Sequence, residues 1–163
     1  QKCRYLGPQL TKFRINRYME LTKQEIQNLI RLAADARKFS YAPYSQFAVG
    51  AALLGADAKI YTGCNIENAA FTPGNCAERT AVFKAVSEGC REFTAIAIVG
   101  GKSGEDALAQ TGYTAPCGVC RQVLREFVDP SAFVVILART MDEYKVYTFE
   151  DLFPESFGPE NLK

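Results

Sequence analysis

From Leu21 onward the chain moves between two hydrophobic rhythms. Ile26, Leu29, Ile30, Ala33, Ala36 and Phe39 recur at the spacing of one helix face and predict a helix running to about residue 40. Its start is marked by Thr22-Lys23-Gln24-Glu25, a capping-box sequence, with Leu21 and Ile26 placed as the accompanying hydrophobic staple. Ala42-Pro43-Tyr44-Ser45 breaks that helix, and two strands are expected over 47–54 and 60–64, joined at Gly55-Ala56-Asp57. A second helix follows from about Cys76, with Ala81, Val82, Ala85 and Val86 inward and Gly89 closing it. The wholly apolar runs at 95–99 and 132–137 suit strands buried on both faces. Between them a third helix is expected over about 117–128, with Val119, Val123, Leu124, Phe127 and Val128 inward. A weaker strand at 144–148 ends the series.

Alternating elements with fully apolar strands predict an α/β fold: a three-layer α/β/α sandwich around a mixed sheet of about five strands. The chain has 163 residues, ordinary for one domain, which is expected to span 19–163. Residues 1–18 carry five basic residues and no acidic one, with no clear period, and are expected to be an appended N-terminal extension.

Net charge is +1 and no basic block occurs in the body of the chain, which argues against a nucleic-acid partner held through phosphates. No apolar run reaches the ~18 residues of a membrane span, so no membrane partner is expected. Six cysteines fall unevenly among strong helix and strand patterns, which points to a cytoplasmic chain with reduced thiols rather than a disulfide scaffold. There is no histidine at all. That excludes Ser-His-Asp and Cys-His nucleophilic sites and every His-ligated metal site.

The remaining candidate chemistry lies at two helix starts, GNCAERTAV (Gly74 to Val82) and TAPCGVCRQV (Thr114 to Val123). Cys117 and Cys120 are three apart at the second, a spacing that fits zinc binding and thioredoxin-like redox chemistry equally well. Cys76 at the first favours metal, because helix N-termini stabilise thiolates. Three thiolates around Zn²⁺ leave a net charge of −1, which Arg79, three residues past Cys76, is placed to offset. A closed structural site would need a fourth thiol. Cys90 lies ~20 Å away at the far end of the helix and Cys3 lies in the extension, so Cys64 alone keeps the structural alternative open. Glu78 points to catalysis: Cys76-Ala77-Glu78 with Pro116-Cys117-Gly118-Val119-Cys120 completes the zinc-deaminase pattern, in which the glutamate is not a ligand. Residues two apart point away from each other on a regular helix, so Cys76 is expected at the cap or in the very first turn.

With these residues in hand, the chain resembles the small, homotetrameric cytidine deaminases that hold zinc with three cysteines. The resemblance runs from about residue 20 to 162. It includes SYAPYSQFAVGAAL (Ser40 to Leu53), GCNIENAAF (Gly63 to Phe71), NCAERTA (Asn75 to Ala81), PCGVCRQVLREF (Pro116 to Phe127) and PESFGPENL (Pro154 to Leu162). It implies one zinc per chain on Cys76, Cys117 and Cys120, a pyrimidine nucleoside as substrate, and attack of an acidified water on C4 of the cytosine ring. Glu78 would take and return the protons, and the water's oxygen would replace the amino group, which leaves as ammonia. By the same resemblance Ala77 and Ala115 contact the base through their backbone, Asn65 and Glu67 bind the ribose hydroxyls, Phe47 packs near the base, and Phe157 reaches a neighbouring subunit's pocket. Phe71 also belongs to the substrate side, although many relatives carry a tyrosine there. Two alternatives stand beside this reading: a deaminase of another small cytosine nucleoside, and a non-catalytic structural zinc or CxxC redox module.

Overall fold

The computed structural model describes residues 21–162. The expected extension at 1–18, with Cys3, lies outside the described residues.

Helix α1 (Lys23–Arg37) starts on the capping box read from the sequence: the Glu25 N–H donates to Thr22 Oγ1 at 3.2 Å, and the Thr22 N–H donates to the Glu25 carboxylate at 2.7 Å. Strands β1 (Phe47–Gly55), β2 (Ile60–Cys64) and β3 (Phe93–Lys102) follow, with helix α2 (Ala77–Ser87) between β2 and β3. Helix α3 (Gly118–Arg125), strands β4 (Val134–Ala138) and β5 (Tyr144–Thr148), and the short helix α4 (Phe149–Leu152) complete the order, with a 3-10 turn at Pro159–Leu162. The sheet runs β2-β1-β3-β4-β5 and is mixed: β3 and β4 are parallel, and every other pair is antiparallel.

Because successive strand residues point to opposite faces, each apolar run supplies two cores. Ala51, Leu53, Ile96, Ile98, Val135 and Leu137 pack with Ala81, Val82 and Ala85 of α2, Leu124 of α3 and Phe149 of α4. Ala52, Ala95, Ala97, Val99 and Ile136 pack under Ile26, Leu29, Ile30 and Ala33 of α1. Small side chains let the helices come close. A Cβ at Gly50 would lie 2.5 Å from the Arg37 backbone nitrogen, and one at Gly63 would lie 2.5 Å from that of Ala81. The helices therefore sit against the sheet backbone itself, which fixes where α2 begins. Leu124 is fully buried in this packing, and truncating it to alanine is expected to cost about 2–5 kcal/mol.

The three-layer architecture agrees with the expectation, and three local readings are corrected. Helix α1 ends at Arg37, and Phe39, expected inward, is 79 % exposed. Helix α3 is shorter than 117–128: it stops at Arg125, and Phe127 and Val128 reach the core from the turn beyond it. Val119, expected inward, is exposed, because α3 turns Cys120 and Leu124 to the core and leaves Val119 off that face.

Candidate metal and catalytic site

Cys76 and Cys117 are the N-cap residues of α2 and α3, both with extended backbone (ψ 159° and 168°). Each cap stands at the positive end of its helix. The second cysteine of the CxxC pair, Cys120, lies buried in the first turn of α3. The structure thus brings Cys76, Cys117 and Cys120 together: Sγ of Cys117 is 3.9 Å from that of Cys76 and 3.4 Å from that of Cys120, and all three lie within 4.8 Å of one another. A tetrahedral zinc with Zn–S bonds near 2.3 Å sets its sulfurs about 3.8 Å apart, so this donor set fits zinc in number, softness and spacing.

The cluster's electrostatics follow from its burial. Hydrogen bonding from Cys120, and then from Arg79 and Cys117, holds the Cys76 thiol well down, at about 5. Cys120 faces that thiolate and its own thiol is pushed far up. A metal ion held by both would take them as thiolates. Arg79 donates from Nη2 to Cys76 Sγ at 3.8 Å. Glu78, on the residue after Ala77, is only 4 % exposed, and burial pushes its carboxyl up to about 7, with the Cys76 thiolate adding to the shift.

Cys64 does not join the cluster. Its thiol donates to the Phe39 carbonyl at 3.3 Å, and burial raises it. Cys90 lies past the end of α2 beside Asp57 and Glu92. Among the described residues the three clustered thiols are the one group that could hold a metal.

A cleft of about 310 Å³ opens beside the cluster, lined by residues that include Asn65, Glu67, Phe71, Cys76 and Arg79. Its wall is built by a small backbone pairing: Ile66 and Asn75 exchange N–H···O bonds at 2.9 and 2.8 Å, which closes the loop carrying Glu67 and Phe71 and delivers the chain to Cys76. Asn65 has a structural task that the sequence did not suggest. Its Oδ1 accepts from Ser40 Oγ and from the Val49 N–H, and its Nδ2 donates to the Phe47 carbonyl at 2.8 Å, tying this loop to β1. Glu67 accepts from the N–H groups of Tyr44 and Ser45, at 2.9 and 3.2 Å. Phe71 is exposed in a left-handed conformation (φ 59°), its ring edge-on to Tyr44.

Phe47, Ala77, Ala115 and Phe157 do not line this cleft. Phe47 begins β1 and is partly exposed, Ala77 is buried as the first residue of α2, and Ala115 is exposed just before Pro116 and Cys117. Phe157 is exposed on a C-terminal segment held against α3. That segment is fastened by Arg121 to the Leu152 carbonyl, Gln122 to the Phe157 carbonyl, and buried Arg125 to Ser156 and Glu160. Among the described residues no helix is long and apolar enough to cross a membrane.

Comparison with known proteins places these features in a family. Residues 23–137 match the family model described as "Cytidine and deoxycytidylate deaminase zinc-binding region". A cytidine deaminase of Sporosarcina psychrophila is 45 % identical over 138 residues, covering 85 % of this chain and 95 % of that protein. One of Halalkalibacterium halodurans is 44 % identical over 83 % of this chain and 96 % of its own length. Among solved structures, the cytidine deaminase of Burkholderia pseudomallei superposes with a TM-score of 0.70 at 45 % identity, covering 80 % of this chain and 97 % of that one.

Proposed function

We propose, from the premise that this chain belongs to the cytidine deaminase family, that its substrates are the free nucleosides cytidine and deoxycytidine. It is a hydrolytic deaminase and its cofactor is zinc. The reaction exchanges the 4-amino group for the oxygen of water and yields uridine or deoxyuridine and ammonia. The observation that carries the reading is the meeting of three thiols from two helix starts with a buried glutamate in the first turn of α2.

Cys76, Cys117 and Cys120 would hold the ion, which when bound supplies a nucleophile by acidifying water. Arg79 offsets the excess thiolate charge from the Cys76 side. Glu78 is the group that takes the water's proton, hands a proton to N3 of the ring and later to the departing amine; no histidine is available to share the task. The backbone at Ala77 and Ala115 borders the base, and Phe47 packs beside it. Glu67 keeps one carboxylate oxygen for a ribose hydroxyl while the other is held by the Tyr44 and Ser45 N–H groups. Asn65 has one amide hydrogen left for the sugar after binding Phe47. A carboxylate at the sugar also repels phosphate, which favours nucleoside over nucleotide.

The finer reading is a cytoplasmic homotetramer serving pyrimidine salvage. Its assembly is supported by the apolar surface a lone chain leaves open, with Tyr41, Tyr44, Phe71 and Phe157 all exposed. Phe157 would then serve a neighbouring copy's substrate pocket. The test is loss of substrate absorbance for cytidine, deoxycytidine, cytosine and CMP in parallel. The first two should be consumed and the last two scarcely touched; equal turnover of CMP would overturn the nucleoside assignment.

A further inference from the structure

The side chain at a helix N-cap ordinarily accepts a hydrogen bond from a backbone N–H of the first turn. At α2 that position is Cys76, and its side chain makes no capping hydrogen bond; the sulfur faces Cys117 and Arg79 instead. The start of the helix is held by two neighbours. Thr80 Oγ1 donates to the Cys76 carbonyl at 3.0 Å, and the Thr80 N–H bonds the same carbonyl, also at 3.0 Å. The hydroxyl's single hydrogen is then spent, so this oxygen can meet Asn75 only as an acceptor. It takes the Asn75 Nδ2 at 3.2 Å. That fixes the amide's orientation and turns its Oδ1 away from Thr80. Oδ1 is buried with no hydrogen-bond partner among the described residues, and so is Nε of Arg79, an acceptor and a donor four residues apart at one helix start. On its other side Asn75 is locked by its backbone exchange with Ile66.

We propose that Asn75 and Thr80 form a polar staple across the start of α2, which positions the Cys76 sulfur for the metal in place of the cap that Cys76 does not provide. Staples between the residue before the cap and the fourth helical residue are usually hydrophobic. Here the polar version holds the carbonyl of the ligand residue itself. Both act through Cys76 and are positioning residues. The inference rests on the zinc reading above.

The test uses the zinc-loaded protein and follows zinc transfer to an excess of chromogenic chelator, with the thermal midpoint of the zinc-free form measured beside it. Thr80→Val and Asn75→Leu should release zinc ~10–100-fold faster than wild type, while Thr80→Ser, which keeps the hydroxyl, should stay within about twofold. The faster release should exceed any change in the zinc-free midpoint. Release at the wild-type rate from Thr80→Val, or equally fast release from Thr80→Ser, would overturn the staple. Faster release wholly matched by lost stability of the zinc-free form would also overturn it, leaving only an ordinary helix cap. A wild type that binds no zinc would overturn the zinc reading itself, a failure distinguishable from the others before any variant is made.

Discussion

Gly63 is where packing and chemistry meet most closely, and Gly63→Ala separates them. The residue pairs with Ala51 in the sheet and lies directly under the first turns of α2. An added Cβ would sit 2.5 Å from the Ala81 nitrogen and 3.0 Å from Thr80 Cβ, and closer still to the Ala77 carbonyl oxygen. Ordinary contact is about 3.5 Å, so the helix start must retreat by about 1 Å. The obstructing atoms are mostly backbone and cannot rotate aside. Over-packing of this kind costs about 1–3 kcal/mol, a fall in thermal midpoint of roughly 2–12 °C for a chain this long. The helix that moves carries Cys76 and Glu78, so the metal geometry moves with it. Zinc affinity should fall ~10–100-fold, and kcat should drop about 100-fold through the misplaced glutamate.

Gly50→Ala is the control. Its Cβ would meet the Arg37 nitrogen at 2.5 Å and the Arg37 Cα at 2.9 Å on the opposite sheet face, where α1 carries no thiol of the cluster. It should lose comparable stability and keep its zinc. Zinc competition, thermal unfolding and cytidine turnover on both variants decide the matter. If Gly63→Ala loses stability as Gly50→Ala does while zinc affinity and kcat stay at wild-type values, the coupling of sheet packing to the metal site is wrong.

Asn65→Ala removes the tie between Ser40, Phe47 and Val49 and should cost about 1–3 kcal/mol in urea unfolding. KM should rise with it, so an unchanged midpoint would contradict the structural task given to this residue. Arg125→Met should free the C-terminal segment from α3, read as faster limited proteolysis beyond Phe153; cleavage at the wild-type rate would show that the Ser156 and Glu160 contacts do not hold it. Stripping zinc should unmask three further thiols per chain in a thiol titration, from Cys76, Cys117 and Cys120, and an unchanged count would contradict their ligand role.

What the sequence made legible was local or periodic. The α1 capping box needs only residues 22–25, and the two-faced strands follow from uninterrupted apolar runs. Cys76 was expected at the cap because a regular helix would turn Glu78 away from it, and the cap is where it lies. Phe39 and Val119 lie exposed against their periodic pattern, because periodicity gives a face without saying whether anything covers it. The hold of Arg121 and Arg125 on the C-terminal segment joins residues 31 to 35 apart and leaves no periodic trace. The structural use of Asn65 was hidden for the same reason, since its partners lie 16 to 25 residues back. The Asn75–Thr80 pair had a faint signal, a polar residue just before the cap and a hydroxyl five residues on. Nothing in the sequence said that the cap between them had another use.

The central claim is that Glu78 moves the protons while the three thiols hold the metal. Glu78→Gln preserves volume and leaves all three sulfurs in place. Zinc content and cytidine turnover measured on one preparation should show one zinc per chain retained and turnover reduced at least ~10²–10⁴-fold. Turnover within about tenfold of wild type, with zinc still bound, would contradict the account.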